Sequence, residues 1–214
     1  WSALVDMPKS LRAVWWVKLV TWFGLPLMWQ YLALSIARHV YDAPNPDSPG
    51  FAEGTAQVGM AFTIMNVTTL IMALVIAKIV TKIGDAKTYS LFLLIGGVGY
   101  LSMQLTTDLY LTFACMALVG VGWSAVMTVP FIIAADVTPA ARVGVYMGLL
   151  NAMICLPQIM EMLTVGYFYD SLLGGDPRNA LAVTGILFVV GAGLALRINS
   201  KPDHLANQEK QSCN

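Results

Sequence analysis

The sequence predicts an all-α membrane protein with six transmembrane helices. Two observations carry this. Of 214 residues, 57% are hydrophobic and only 11% are charged, where soluble domains carry about 25% charged residues. The apolar residues also gather into runs of roughly 20, long enough to cross a bilayer as helices. A water-soluble fold of this length could not hide so much apolar surface. A β-barrel would show alternating segments of about ten residues, and the sequence contains none.

The first span covers about 14–40 and is rich in aromatics. Trp15 and Trp16 suit the interfacial belt. Trp22 and Trp29 share a helix face, with Pro26 between them and Gln30 and Tyr31 following. An indole face stacks on the C–H face of a sugar ring while an amide takes its hydroxyls. This makes Trp29 and Gln30 candidate substrate-binding residues; for Trp22, plain packing is the stronger reading. Lys18 lies about one turn inside the boundary, where a lysine can snorkel to the headgroups. Arg38 and His39 read as anchors at the opposite boundary.

The loop 41–55, YDAPNPDSPGFAEGT, is acidic and rich in Pro and Gly. The second span, about 56–80, places Thr63, Asn66 and Thr69 at i, i+3 and i+6. Its sequon Asn66-Val67-Thr68 falls mid-span, so glycosylation there is not expected. The third span, about 88–106, carries LLIGGVGYL, whose glycines allow close helix approach. The fourth, about 109–135, carries GVGWSAVMTVP. Ser124 and Thr128 there read as inter-helix glue. Asn66 and Trp123 are larger and central, and are better site candidates.

The fifth span, about 144–169, contains GLLNAMICLPQIMEM. At about 100° per residue, Gly144, Gly148, Asn151, Cys155, Gln158 and Met162 fall within roughly 80° of arc. Leu149, Met153, Leu156, Met160 and Leu163 fall on the other side. Such a helix has lipid behind it and something polar in front, because mid-span amides are costly in hydrocarbon. The alternative is tight packing, with both amides bonded to a neighbouring helix. Pro157 frees a carbonyl near the centre, a break tolerated where it lines a cavity or is re-satisfied by neighbours. Glu161 lies about 60° beyond the Gln158 edge of the stripe and about 6–7 Å from the span's centre. It is the only acid well within a span, and an intramembrane acid is a functional candidate by default. It could bind a proton, pair with a cation from elsewhere, or line an outer vestibule. The sixth span covers about 178–198.

Basic residues orient the chain. With the N-terminus in the cytoplasm, Lys9, Arg12, Lys18, Lys78, Lys82, Lys87, Arg142, Arg197, Lys201 and Lys210 lie at the inner side, ten of the twelve basic residues. Only Arg38 and Arg178 lie at the outer side. Both ends of the segment, including the polar tail 199–214, are then cytoplasmic, in a plasma or bacterial inner membrane. Asp136 and Arg142 flank Pro139 and could latch the inner ends of spans four and five, a candidate cytoplasmic gate; a solvated turn is the other reading. Cys115 and Cys155 lie inside spans and Cys213 in the tail, a spacing that matches no metal site. No cofactor, metal or nucleic-acid partner is expected. The start, WSALVDMPKSLRAVWW, lacks an initiator Met and a cleavable signal, so the chain reads as part of something longer.

The segments MPKSLRAVWWVKLVTWFGLPLMWQY, EGTAQVGMAFTIMN and GVGWSAVMTVPFIIAADVTPAARVGVYMGLLNAMICLPQIM resemble the C-terminal half of a major facilitator superfamily sugar transporter. The branch they are most similar to is that of sucrose–proton symporters, related to the glycoside–pentoside–hexuronide cation symporters. The tract 130–158 is the most specific, with its proline turn, basic residue, GVYMG step and N-x6-Q pair in order. The resemblance implies twelve helices in two six-helix halves, with substrate held between them near the midplane and exposed alternately. This chain would supply spans seven to twelve, and the N-terminal half would be its partner. By resemblance, Asn151 and Gln158 match cavity-facing positions, and Trp29 and Asn66 match more loosely. There are departures. Asp85 and Ala86 stand where basic residues are common, Lys18 where the branch often has Gln, and Gln30 where it often has an apolar residue. The family's proton-coupling acid usually lies in the other half, so Glu161 is a proton-coupling candidate from its depth alone.

The expected function is therefore part of a secondary active transporter for a sugar or glycoside, coupled to a cation, most simply a proton. Two alternatives stand beside it. One is a complete six-span protein that dimerises to form a pore. The other is a membrane-embedded enzyme, opposed by the lack of HExxH, of clustered acids, and of any histidine but His39 and His204.

Overall fold

The computed structural model describes residues 7–138 and 142–199. These form six long helices: α1 (Lys9–His39), α2 (Phe51–Ile83), α3 (Asp85–Ser102), α4 (Leu109–Val137), α5 (Val143–Leu173) and α6 (Pro177–Ala195). A short 3-10 turn, Met103–Leu105, follows α3, and the described residues contain no strand. All six helices are long and apolar enough to cross a membrane. Pro139 and the tail from 200 onward, with Lys201, His204, Lys210 and Cys213, lie outside the described residues.

Helix is the form that lipid demands, because a span must satisfy its backbone N–H and C=O groups internally. The 31 residues of α1 run about 46 Å at 1.5 Å per residue, more than the hydrocarbon core of about 30 Å. The helices therefore continue past their apolar runs. Helix α2 begins at Phe51 and ends at Ile83, beyond the apolar stretch 56–80, since only the lipid-embedded part needs apolar side chains.

Local chemistry sets the ends. Asp108 caps α4 by accepting from the Leu111 N–H at 2.8 Å, and Asp176 caps α6 by accepting from the Arg178 N–H at 2.8 Å. Pro177 occupies the first turn of α6, where its missing N–H costs nothing. A single residue, Gly84, turns the chain from α2 into α3. Its φ of +86° is open to glycine and strained for residues with a side chain.

Helix α1 is the centre of the bundle. It packs most extensively on α6 and also touches α5, α2 and α4, while α3 fills the space between α4 and α6. Lipid gives helices little hydrophobic reason to associate, so close backbone approach and inter-helix hydrogen bonds carry the packing. The third span's glycines serve this purpose. A Cβ on Gly96 would lie 2.9 Å from the Cα of Gly122 on α4, and one on Gly97 would lie 3.0 Å from the Gly185 carbonyl of α6. The Thr184 hydroxyl donates to the Gly24 carbonyl at 2.8 Å, joining α6 to α1, and the Thr69 hydroxyl donates to Gly120 O at 3.1 Å, joining α2 to α4. The outer members are α2 and α5, the least buried of the six helices.

One end of the bundle is tied by polar contacts. Arg38 donates to the Gly175 carbonyl at 3.0 Å, and His39 Nε2 lies 2.8 Å from Asp176 Oδ1. Tyr31 stacks on Tyr169 at 4.3 Å, and the Tyr169 hydroxyl donates to Gly175 O at 3.0 Å. Arg178 donates to the Thr106 carbonyl, and Gln104 donates to the Arg178 carbonyl. So Arg38 and Arg178, the two basic residues that depart from the charge asymmetry, are engaged in holding this end. Within the bundle, the partners of Arg38 and His39 are in the α5–α6 turn.

Candidate substrate-binding face

The site is built first on α1. Trp22 is buried, with 5% of its surface exposed, while Trp29 is 42% exposed. Both indoles meet the half-buried Trp123 of α4. Trp22 lies 5.7 Å from it, tilted, and Trp29 lies 6.2 Å from it, edge-on. Edge-to-face packing of this kind fixes ring orientation. Two indoles of α1 and a third more than 90 residues further along the chain therefore form one cluster that opens at Trp29 and closes at Trp22. A stacking face for a sugar is available at Trp29 and not at Trp22.

Lys18 belongs to the closed end of this cluster. It does not snorkel. It is fully buried, its Nζ has no hydrogen-bond partner among the described residues, and that Nζ sits 5.7 Å from the Trp22 ring and 5.4 Å from the Phe131 ring. Burying an ammonium costs several kcal/mol, and a ring contact returns about 0.5–2 kcal/mol. The aromatic contacts reduce the cost without removing it. Snorkelling failed as an expectation because it takes the side chain's surroundings to be lipid, whereas α1 is enclosed by other helices.

The second wall is α5. Its packed stripe is Tyr146, Leu150, Met153, Pro157, Glu161 and Val165. This is neither the stripe of small and polar residues nor the leucine stripe opposite it, but the sector between them. Asn151 and Cys155 are exposed, Gln158 is half-buried, and Leu156 and Leu163 are exposed. Met153 packs inward, so the leucine stripe is not uniformly turned to lipid. The helix wheel ordered these residues correctly by angle, but the angle at which neighbouring helices arrive had to come from the fold.

Glu161 lies fully buried on that packed stripe, so it does not line a vestibule. Its two carboxylate oxygens accept from the same group, Gln30 Nε2, at 3.2 Å each. Gln30 is itself exposed. The fold thus joins two of the candidate residues across 131 positions of chain and places the amide between the buried acid and the open face. Trp29 is the neighbour of Gln30, and Gln158 is one turn from Glu161.

The remaining candidates are more scattered. Asn66 is exposed on α2, while the adjacent Met65 packs inward. Asn66, Asn151 and Gln158 make no hydrogen bonds among the described residues, so these amides are not acting as glue within this bundle. Thr63 bonds back to Gly59 O of its own helix at 2.8 Å; Thr69 bonds back to Met65 O in the same way and also reaches Gly120 O of α4. Ser124 is buried and donates to Val121 O of its own helix at 2.6 Å. Asp136 and Arg142 are both exposed, either side of residues 139–141. Two hollows, of about 220 Å³ beside Trp16 and Arg197 and about 380 Å³ beside Leu105 and Leu111, lie away from the candidate residues. Gln30 and Glu161, with their neighbours Trp29 and Gln158, meet where α1 packs on α5, and Asn66 is on α2. No group of three or more metal-ligating side chains occurs among the described residues. Cys115 and Cys155 are free thiols, the first buried and the second exposed.

Lys18 and the bond between Gln30 and Glu161 were the features that residue-by-residue reading missed. Their signal was the departure from the familiar pattern at positions 18 and 30. Comparison with known proteins adds one finding: residues 15–212 match the family model of the Major Facilitator Superfamily. No curated protein and no solved structure matches the chain.

Proposed function

The chain belongs to the Major Facilitator Superfamily, a family of membrane transporters and not of enzymes, and from that premise we propose that it is the C-terminal half of a proton-coupled sugar or glycoside transporter. Its partner in this reading is an N-terminal half of six further helices, and substrate sits between the two, exposed alternately to either side. The inner side is the one that carries Lys9, Lys82, Arg142 and Arg197.

One observation supports this above the others. The two least buried helices, α2 and α5, present Asn66, Asn151 and Gln158 without partners among the described residues. Unpartnered amides are costly against hydrocarbon, so this face is one that meets water, substrate or a second half. Trp29 and Gln30 adjoin it through α1, and Trp123 supports Trp29 from behind. Amides that take hydroxyls beside an exposed indole suit the alternating polar and C–H faces of a sugar ring. Glu161 is the proton-coupling residue in this proposal, reached from the face through Gln30. Asp136 and Arg142 form the inner gate.

The test is uptake into proteoliposomes by the full-length protein that carries this chain, across a panel of radiolabelled sugars and glycosides, with and without an inward proton gradient. Saturable uptake of at least one sugar, accelerated by the gradient, is expected. Absence of uptake across the panel in folded protein would overturn the substrate class. Gradient-independent uptake would overturn the coupling.

A further inference from the structure

The buried end of the indole cluster contains an imbalance that the sugar reading leaves unused. Two donors lie there without acceptors among the described residues: Lys18 Nζ and Trp22 Nε1 are both buried and both unpartnered. They are one helical turn apart on α1, with Lys18 Nζ 5.7 Å from the Trp22 ring. The rest of the lining shown is aromatic: Phe131 against Lys18 and Trp123 against Trp22. Neither donor can accept a hydrogen bond in return, so the missing group is an acceptor. Glu161 is not that group. Its partner Gln30 is twelve positions farther along α1, a separation of about 18 Å at 1.5 Å per residue, and its carboxylate is already engaged by Gln30.

We propose that Lys18 and Trp22 form a subsite for a single carboxylate. Charge selects this ligand over others. One ammonium balances one carboxylate, whose two oxygens give one acceptor to Nζ and the other to the indole N–H. A phosphate dianion would leave an excess negative charge in an aromatic enclosure. A hydroxyl would satisfy a donor and leave the cation unbalanced. In the arrangement described here both nitrogens are sealed from solvent, so the acceptor enters when α1 and α4 separate. Those two helices touch over a shorter stretch than α1 and α6. Each also carries a proline beside the subsite, Pro26 one turn beyond Trp22 and Pro130 next to Phe131, and a proline removes one backbone bond from its helix. The carboxylate belongs either to a transported molecule or to a side chain of the same transporter, and the experiment separates these.

The full-length protein in proteoliposomes is titrated with gluconate and with glucose while tryptophan fluorescence is followed, in wild type, Lys18→Met and Trp22→Phe. Methionine fills the lysine volume and removes an unpartnered charge, so this variant is expected to fold; monodisperse elution checks that. Saturable quenching by gluconate and not glucose, lost in Trp22→Phe and weakened at least tenfold in Lys18→Met, assigns the carboxylate to a ligand. If gluconate has no effect, Lys18→Met is carried into a selection for restored uptake of whichever sugar the wild type transports. Loss of uptake in Lys18→Met, regained by second-site changes that neutralise one Asp or Glu, assigns the carboxylate to the protein. Gluconate quenching that Lys18→Met leaves unchanged overturns the proposal. So does a Lys18→Met protein that neither binds gluconate differently nor yields acid-neutralising suppressors. The fluorescence arm requires no transport, so its outcome is independent of the sugar-transport reading.

Discussion

Replacing Gln30 by leucine removes the donor on which Glu161 depends. Both carboxylate oxygens lie 3.2 Å from the one Nε2, at the long end of the hydrogen-bond range, and Glu161 is fully buried. Two oxygens sharing one amide group amount to one charge-assisted bond, worth about 1.5–3 kcal/mol. Neutral inter-helix bonds in membranes average about 0.6 kcal/mol. The two figures are far enough apart to discriminate. Gln30→Leu alone leaves a buried acid without a partner and should cost about 3 kcal/mol. The double variant Gln30→Leu/Glu161→Leu removes both ends of the bond and should lie close to wild type, as buried polar pairs replaced by apolar residues often do. The assay is a double-mutant cycle read by denaturant titration of the protein in bicelles. A coupling energy above about 1.5 kcal/mol is expected for an ionised carboxylate held by the amide. A value below about 0.5 kcal/mol would refute the reasoning, because the pair would then hold neither the acid nor α1 against α5.

Three further outcomes can be measured. Glu161→Gln should lower proton-driven uptake while leaving counterflow exchange intact, since the amide cannot carry a proton but still meets Gln30; wild-type driven uptake in this variant would remove Glu161 from the coupling. Asn151→Ala and Gln158→Ala should each raise the half-saturation concentration about 2–10-fold, the equivalent of one neutral hydrogen bond, and unchanged saturation curves would remove both residues from the substrate site. Gly96→Ala should destabilise the bundle by about 1–3 kcal/mol, because its new Cβ would lie 2.9 Å from the Gly122 Cα; Gly193→Ala, where a Cβ would meet nothing within 4 Å, is the control and should unfold like wild type.

The helices were legible because their cause is local. Each apolar run must close its own backbone bonds in lipid, whatever the other runs do. Gly96, Gly97 and their neighbours could be assigned to close packing on the same grounds, and Asp108 and Asp176 sit where capping chemistry puts them. The candidate face was legible only in part. Asn151 and Gln158 share an arc that periodicity reveals. Trp22 and Trp29 looked alike in sequence, seven residues apart on one face, yet one is sealed beneath Trp123 and the other is open. That difference depends on where α4 crosses α1.

A run of 20 apolar residues decides that it will be a helix, and six such runs decide the class of protein, because the bilayer acts on each run separately. Which side of a helix is enclosed is a property of its neighbours. Lys18 is buried because α1 has helices around it, Glu161 is buried because α5 turns that sector toward α1, and Gln30 meets Glu161 because the two helices pack at that depth. A helical wheel gives the angles between residues on one helix. It contains no information about the direction from which the next helix comes, and that direction decided where Lys18 and Glu161 came to lie.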